Sequence, residues 1–160
     1  MRISIFAVGR IKKGPEYELN ERYFQRFAKA AISLGFSFSG IREIAESRAL
    51  FADQRRKEES AAMLSGLGKD IHLIVLDERG KLMTSRAFAE KVISCRDEGK
   101  HDLVFALGGP DGHSAEVREQ ADFVLSFGLM SWPYRFARVM LGEQLYRATT
   151  VLSNHPYHRE

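Results

Sequence analysis

The C-terminal segment Asn154-His155-Pro156-Tyr157-His158-Arg159-Glu160 gathers two imidazoles, a phenol and a guanidinium. Imidazole titrates near neutrality and suits proton transfer, and guanidinium grips oxyanions through a planar fork. Chain ends normally fray unless something ties them down. The apolar stretch Thr149-Thr150-Val151-Leu152 precedes this one with only Ser153 between them, so it holds the start of the tail in the fold and leaves the polar end free to reach a site. A solvated polar end is the alternative reading.

Two further segments carry residue types suited to ligand contact. Gly108-Gly109-Pro110-Asp111-Gly112 places three glycines among five residues, which permits positive φ and close approach of backbone to a ligand. It lacks the Lys-Ser/Thr of a P-loop and does not match Gly-x-Gly-x-x-Gly, so neither an NTPase nor a standard dinucleotide site is supported. A tight turn and a cofactor loop both fit it. Phe127-Gly128-Leu129-Met130-Ser131-Trp132-Pro133 is apolar and contains turn residues, unusual for a surface connection. It suits a pocket for an adenine and a methionine-like chain, a buried corner, or a subunit interface. Beyond it, Arg135, Arg138 and Arg147 lie on a helical pattern and, with His158 and Arg159, suit a polyanion-binding edge. Solvated helix arginines are the default for any one of them.

Other chemistries find no support. His72, His101, His113, His155 and His158 show no His-Glu-x-x-His spacing, and Cys95 is the single cysteine, so no metal site and no internal disulfide are expected. Cys95 falls in a helical pattern and reads as a small buried apolar residue. No Gly-x-Ser-x-Gly elbow for acyl transfer is present.

These segments need a scaffold. Continuous apolar runs predict buried strands over 3–8, 71–76 and 102–107, period-two alternation predicts a half-buried strand over 36–39, and 123–127 reads as a further strand. Helical spacing marks 15–29, 49–67, 85–95, 114–121 and 136–148, with Thr84 or Ser85 and Ser114 as caps. The alternation predicts an α/β domain with a largely parallel sheet covered by helices on both faces. Ligands of such sheets lie outside the carboxyl ends of the strands, where the loops after Leu76, Leu107 and Phe127 converge.

The 160 residues, 44% hydrophobic, fit one domain over 1–160. No apolar run is long enough to span a bilayer and the N-terminal run is too short for a signal peptide, so cytoplasmic localisation and no membrane partner are expected. A net charge of +3 permits a polyanionic partner without requiring one.

Taken together, Gly108-Gly109-Pro110-Asp111-Gly112, then Arg138-Val139-Met140-Leu141-Gly142-Glu143-Gln144-Leu145-Tyr146-Arg147-Ala148, then the tail from Asn154 closely resemble the ribosomal RNA large subunit methyltransferase H family, of the SPOUT class. Ala7-Val8-Gly9, Leu76-Asp77 and Gly80-Lys81 extend the resemblance along the chain. It implies a C-terminal trefoil knot, a homodimer, S-adenosylmethionine as methyl donor, and methylation of N3 of a pseudouridine in 23S rRNA of assembled ribosomes. It also implies cofactor contacts at Leu76, Gly108, Gly109, Phe127, Gly128, Leu129, Met130, Ser131 and Trp132. Tyr157, His158 and Arg159 would form the catalytic, substrate side, completing the other subunit's pocket, with Arg135, Arg138 and Arg159 on the RNA. Many relatives carry His where this chain has Tyr134. An unperturbed phenol is a poor base at neutral pH, so a non-catalytic ribosome-binding or assembly factor of the same fold is the alternative. An ordinary doubly wound nucleotide enzyme is a weaker one.

Overall fold

The computed structural model describes residues 1–159. Five parallel strands, β1 (Arg2–Val8), β2 (Ser37–Ile44), β3 (His72–Leu82), β4 (Asp102–Leu107) and β5 (Phe123–Ser126), form one sheet in the order β2-β1-β4-β3-β5. The helices are α1 (Pro15–Ala31), α2 (Ala52–Gly66), α3 (Ser85–Asp97), α4 (Ala115–Gln120) and α5 (Tyr134–Leu152).

Alternation along the central strands divides the core between two faces. Ile3, Ile5, Leu103, Phe105 and Ile74 pack with Phe24 and Phe27 of α1, Phe88 and Val92 of α3, and Leu141 and Leu145 of α5. Phe6, Val8, Leu73, Val75 and Val104 turn the other way, onto Met63 of α2 and Val117 of α4. Helices therefore cover both faces, as the apolar runs imply. Thr84 and Ser114 cap α3 and α4, each accepting the amide N–H three residues on. Cys95 is fully buried, which pushes its thiol pKa up and keeps it an inert apolar residue.

Three elements run longer than their apolar patterns. β2 continues through Arg42 and Glu43 because its main chain pairs with β1 as far as Val8↔Ile44, whatever its side chains do. α5 begins at Tyr134, right after Pro133, and its last turn closes on the Thr149 and Thr150 hydroxyls, which donate to the carbonyls of Tyr146 and Arg147. The expected polar loop after Leu76 is instead extended, and Lys81 and Leu82 pair with Leu125 and Ser126.

That last pairing has a topological consequence. Leu125 pairs both with Leu76 and with Lys81, and a strand residue has only two edges, so β5 runs between two stretches of β3. Such threading is compatible with a knotted C-terminal half. Gly80 sits at the crossing, where a Cβ would lie 2.6 Å from the Leu125 carbonyl carbon and 2.7 Å from that of Val124. Backbone cannot yield as a flexible side chain can. Gly80→Ala is therefore expected to lower the melting temperature by about 10 °C or to prevent folding, an overpacking cost of roughly 1–3 kcal/mol or more; an unchanged melting curve would contradict this crossing.

Candidate functional site

The loops after β3, β4 and β5 meet at the carboxyl ends of the strands around a cavity of about 380 Å³, within the range of small-molecule sites. Its walls include Leu76, Gly108, Gly109, Phe127, Gly128, Met130, Ser131 and Trp132, eight of the nine residues expected to hold a cofactor. The ninth, Leu129, is exposed and outside the wall.

Backbone geometry shapes the glycine loop. The Gly112 N–H donates to the Gly109 carbonyl at 2.9 Å, and Gly112 has φ +77°. A Cβ on Gly108 would lie 2.9 Å from the Gly112 carbonyl carbon, and one on Gly109 would lie 3.0 Å from Glu59 Oε2 and Val8 Cγ1. A side chain at Gly108 would run into backbone, and one at Gly109 would have to push Glu59 or Val8 back by a few tenths of an ångström. Helix α2 holds the loop from behind. Arg55 forks Asp111 at 2.6 and 3.1 Å, and Ser60 Oγ accepts the Ser114 N–H at 3.2 Å. The Arg55 hydrogen bond holds the Asp111 carboxyl below its ordinary pKa. Buried Glu59 accepts the Ser47 N–H at 2.8 Å through Oε1, while its Oε2, facing Gly109, has no partner. Burial raises its pKa, and the nearby acids Asp111 and Glu46 add to the rise.

The loop after β5 folds on Ser126, whose Oγ donates to the Gly128 carbonyl at 2.9 Å and accepts the Gly128 N–H at 3.2 Å. It carries Met130 and Trp132 to the cavity with much of their surface exposed. On the β3 side, Arg118 reaches Asp77 at 3.3 Å and donates to the His113 carbonyl at 2.7 Å. His113 lies buried below the glycine loop with its Nε2 unpartnered, and desolvation lowers its pKa to about 4. It is neutral at physiological pH. Because the folded value lies below the ordinary 6.5, stability present above pH 6.5 is lost as pH falls towards 4, by about 3 kcal/mol at 1.36 kcal/mol per unit. Replacing His113 with leucine is expected to flatten the acid limb of a melting-temperature profile between pH 7 and 4.5. Equal slopes for both proteins would refute that role.

Tyr134 stands at the cavity rim, where its hydroxyl donates to Glu46 at 2.9 Å and accepts from Arg135 Nε at 3.3 Å. The Arg135 guanidinium also lies 5.6 Å from its ring centroid.

The tail does not reach this cavity within the chain. Tyr157 packs against Tyr146, lies under Arg147, and donates to Glu143 at 3.0 Å. Burial, with Tyr23 and Glu143, pushes its pKa well above the ordinary phenol value. The His155 N–H donates to the Thr150 carbonyl, and the His158 N–H to the His155 carbonyl. His158 is half-buried with Nδ1 unpartnered, and Arg159 is exposed. Glu160 lies outside the described residues. The cavity touches the first turn of α5 and the tail leaves its last, about 27 Å along the axis.

Arg138 needs correcting as an RNA-facing residue. It is 1% exposed, donates to the Gly9 carbonyl at 2.7 Å and pairs with Glu43, so it ties α5 to β1 and β2 from inside. Arg147 pairs with Glu143 and Tyr157. The cavity wall also holds Arg56, Asp77, His113 and Arg118, none of them expected as site residues; Asp77 and His113 directly follow Leu76 and the glycine segment, whereas Arg56 and Arg118 lie on helices and carry no such signal. Among the described residues no cluster of three His, Cys, Asp or Glu side chains suits a metal ion, and no helix is long and apolar enough to cross a membrane.

Comparison with known proteins bears on this arrangement. A family model described as predicted SPOUT methyltransferase matches residues 1–158. Proteins named ribosomal RNA large subunit methyltransferase H from Bartonella bacilliformis, Brucella anthropi and Mesorhizobium japonicum are 57%, 52% and 52% identical to this chain, with 99% of both chains covered in each case. Among solved structures, a probable methylase family protein from Haemophilus influenzae shares the fold with a TM-score of 0.50 at 16% identity, covering 99% of this chain and 70% of that one. A match over nearly the whole length, at more than half identity to the first of these relatives, places the chain in the SPOUT methyltransferase family, among the ribosomal RNA large subunit methyltransferases H.

Proposed function

We propose that this chain is an S-adenosylmethionine-dependent methyltransferase of large-subunit ribosomal RNA, acting in the cytoplasm on N3 of a pseudouridine in 23S rRNA of assembled ribosomes. The observation that carries the reading is the cavity at the carboxyl ends of β3, β4 and β5, walled by the glycine loop and the Phe127–Trp132 segment, in a chain so similar to proteins of that name. The walls fit the cofactor. Gly108 and Gly109 present bare backbone to a ligand, while Leu76, Phe127, Met130 and Trp132 offer apolar surface for an adenine and a thioether chain.

S-adenosylmethionine supplies a methyl already activated as a sulfonium substituent, so the protein must align the acceptor and manage one proton. His158 is the residue for the N3 proton, since imidazole can hold or accept it near neutral pH. Arg159 would stabilise negative charge developing on the base. Because no tail residue lines the cavity of its own chain, these groups would act on the cavity of a second copy in a homodimer. The exposed Leu82, Leu129, Met130, Trp132 and Phe136 near the cavity supply apolar surface for that contact.

The test is transfer of labelled methyl from S-adenosylmethionine to 70S ribosomes purified from cells lacking the modification. Incorporation approaching one methyl per ribosome is expected. None, with a folded protein that still binds the cofactor, would overturn catalysis and favour a binding or assembly factor.

A further inference from the structure

Resting on the reading above, we propose that Arg10, Lys12 and Lys13 of the loop between β1 and α1, with Arg48 of the loop between β2 and α2, form a rim that docks the phosphate backbone of the RNA whose base enters the cavity.

Position comes first. In the sheet order β2-β1-β4, the loop leaving β1 lies between the loop leaving β2 and the glycine loop. Val8 Cγ1 already stands 3.0 Å from where a Gly109 Cβ would be, and a Cβ on Gly9 would meet the Tyr134 ring at 2.6 Å. The loop therefore adjoins the cavity wall at both the glycine loop and Tyr134. A nucleotide entering beside Tyr134 would carry its flanking phosphates across this edge.

Rigidity comes second. The Gly9 N–H donates to the Ile44 carbonyl at 2.9 Å, and the Gly9 carbonyl accepts from buried Arg138 at 2.7 Å. Ile11 is buried and its N–H donates to Glu43 Oε1 at 3.3 Å. At the far end the Gly14 carbonyl accepts the Glu18 N–H of α1. Arg10, Lys12 and Lys13 thus project from a pinned main chain, exposed on either side of an anchored isoleucine.

Charge comes third. Among the described residues none of these four cations makes an ion pair, whereas Arg55, Arg118, Arg138 and Arg147 each do. Of the carboxylates beside these loops, Glu43 pairs with Arg138, Glu46 accepts from Tyr134 and Glu58 from Ser47, while Glu16 stands in the first turn of α1. Unpaired like charges held on neighbouring loops repel one another and gain when a polyanion spans them. Because the four lie on two loops and do not converge on one pocket, the arrangement suits successive phosphates along a strand. Such contacts set orientation and register and carry no base specificity.

The test replaces Arg10, Lys12 and Lys13 together with alanine and follows methylation of 70S ribosomes at several potassium chloride concentrations. The variant is expected to raise the KM for ribosomes by about tenfold or more, with kcat and S-adenosylmethionine affinity unchanged. The slope of log KM against log salt should fall by about 2, near 0.7 for each single-strand phosphate that is no longer neutralised. A triple variant that keeps charge, Arg10→Lys with Lys12→Arg and Lys13→Arg, should behave like the wild type. An unchanged KM, or a raised KM with an unchanged salt slope as a protein partner would give, overturns the proposal. Sedimentation of the protein with ribosomes in the absence of cofactor separates the two readings. Wild-type chain that binds with a salt slope the triple-alanine variant loses, yet transfers no methyl, would sink the catalytic assignment and leave the rim standing.

Discussion

Replacing His158 with alanine is expected to lower methyl transfer to ribosomes by about 10²- to 10⁴-fold, the usual contribution of a positioned acid or base, with cofactor affinity changed less than twofold. Arg159→Ala should also cut turnover while leaving cofactor bound. The separation of effects follows from the fold: both residues lie beyond the C-terminal end of α5, whereas the cavity is built from the loops after β3, β4 and β5. Neither side chain touches the glycine loop of its own chain, so a loss of cofactor binding would contradict the assignment. The two-copy arrangement predicts something sharper. Dimers pairing a His158→Ala chain with a chain unable to bind cofactor should regain activity, because one of the two sites then has both an intact cavity and an intact tail. If each chain instead used its own tail, no pairing of the two variants would restore turnover.

Gly109→Val is the second large effect, expected to weaken S-adenosylmethionine binding by about 100-fold or more. A Cβ at this position would already lie 3.0 Å from Glu59 Oε2 and Val8 Cγ1, and valine adds two methyl groups to that contact. Neither neighbour can retreat easily, since Val8 is a core residue of β1 and Glu59 is buried and held by the Ser47 N–H. The loop must move into the cavity instead, where cofactor would lie. Alanine should give a smaller loss at the same site. Calorimetric titration of both variants checks the order, and wild-type affinity in Gly109→Val would show that the loop is not a cofactor wall.

Much of the site was legible because it depends on strand ends. The runs ending at Leu76 and Leu107 are apolar enough to be buried on both faces, and a parallel sheet obliges the following loops to emerge on one side. The glycine cluster and the Phe127–Trp132 segment therefore fall into one cavity wall without further information. The path beyond Leu76 was not legible. Asp77 to Lys81 is polar and reads as a loop, and only β5, which pairs there through Lys81 and Leu82, makes it extended.

Arg138 shows a different limit. It precedes Leu141 and Leu145 by three and seven residues, so the helical period already turns it inward with them. Its chemical type argued for the surface, and the partners that permit burial, Gly9 and Glu43, are 129 and 95 residues away. The tail was legible in chemistry but not in place. Its link to Glu143 through Tyr157, back along the outside of α5, depends on how the chain turns after Leu152.

The most direct measurement is mass spectrometry of nucleosides from 23S rRNA after incubation of unmodified 70S ribosomes, and separately of free 23S rRNA, with the protein and labelled S-adenosylmethionine. Labelled N3-methylpseudouridine from the ribosomes, with little or none from free RNA, is the predicted result. Label on a ribose or on another base, or no label despite cofactor binding, would contradict the account.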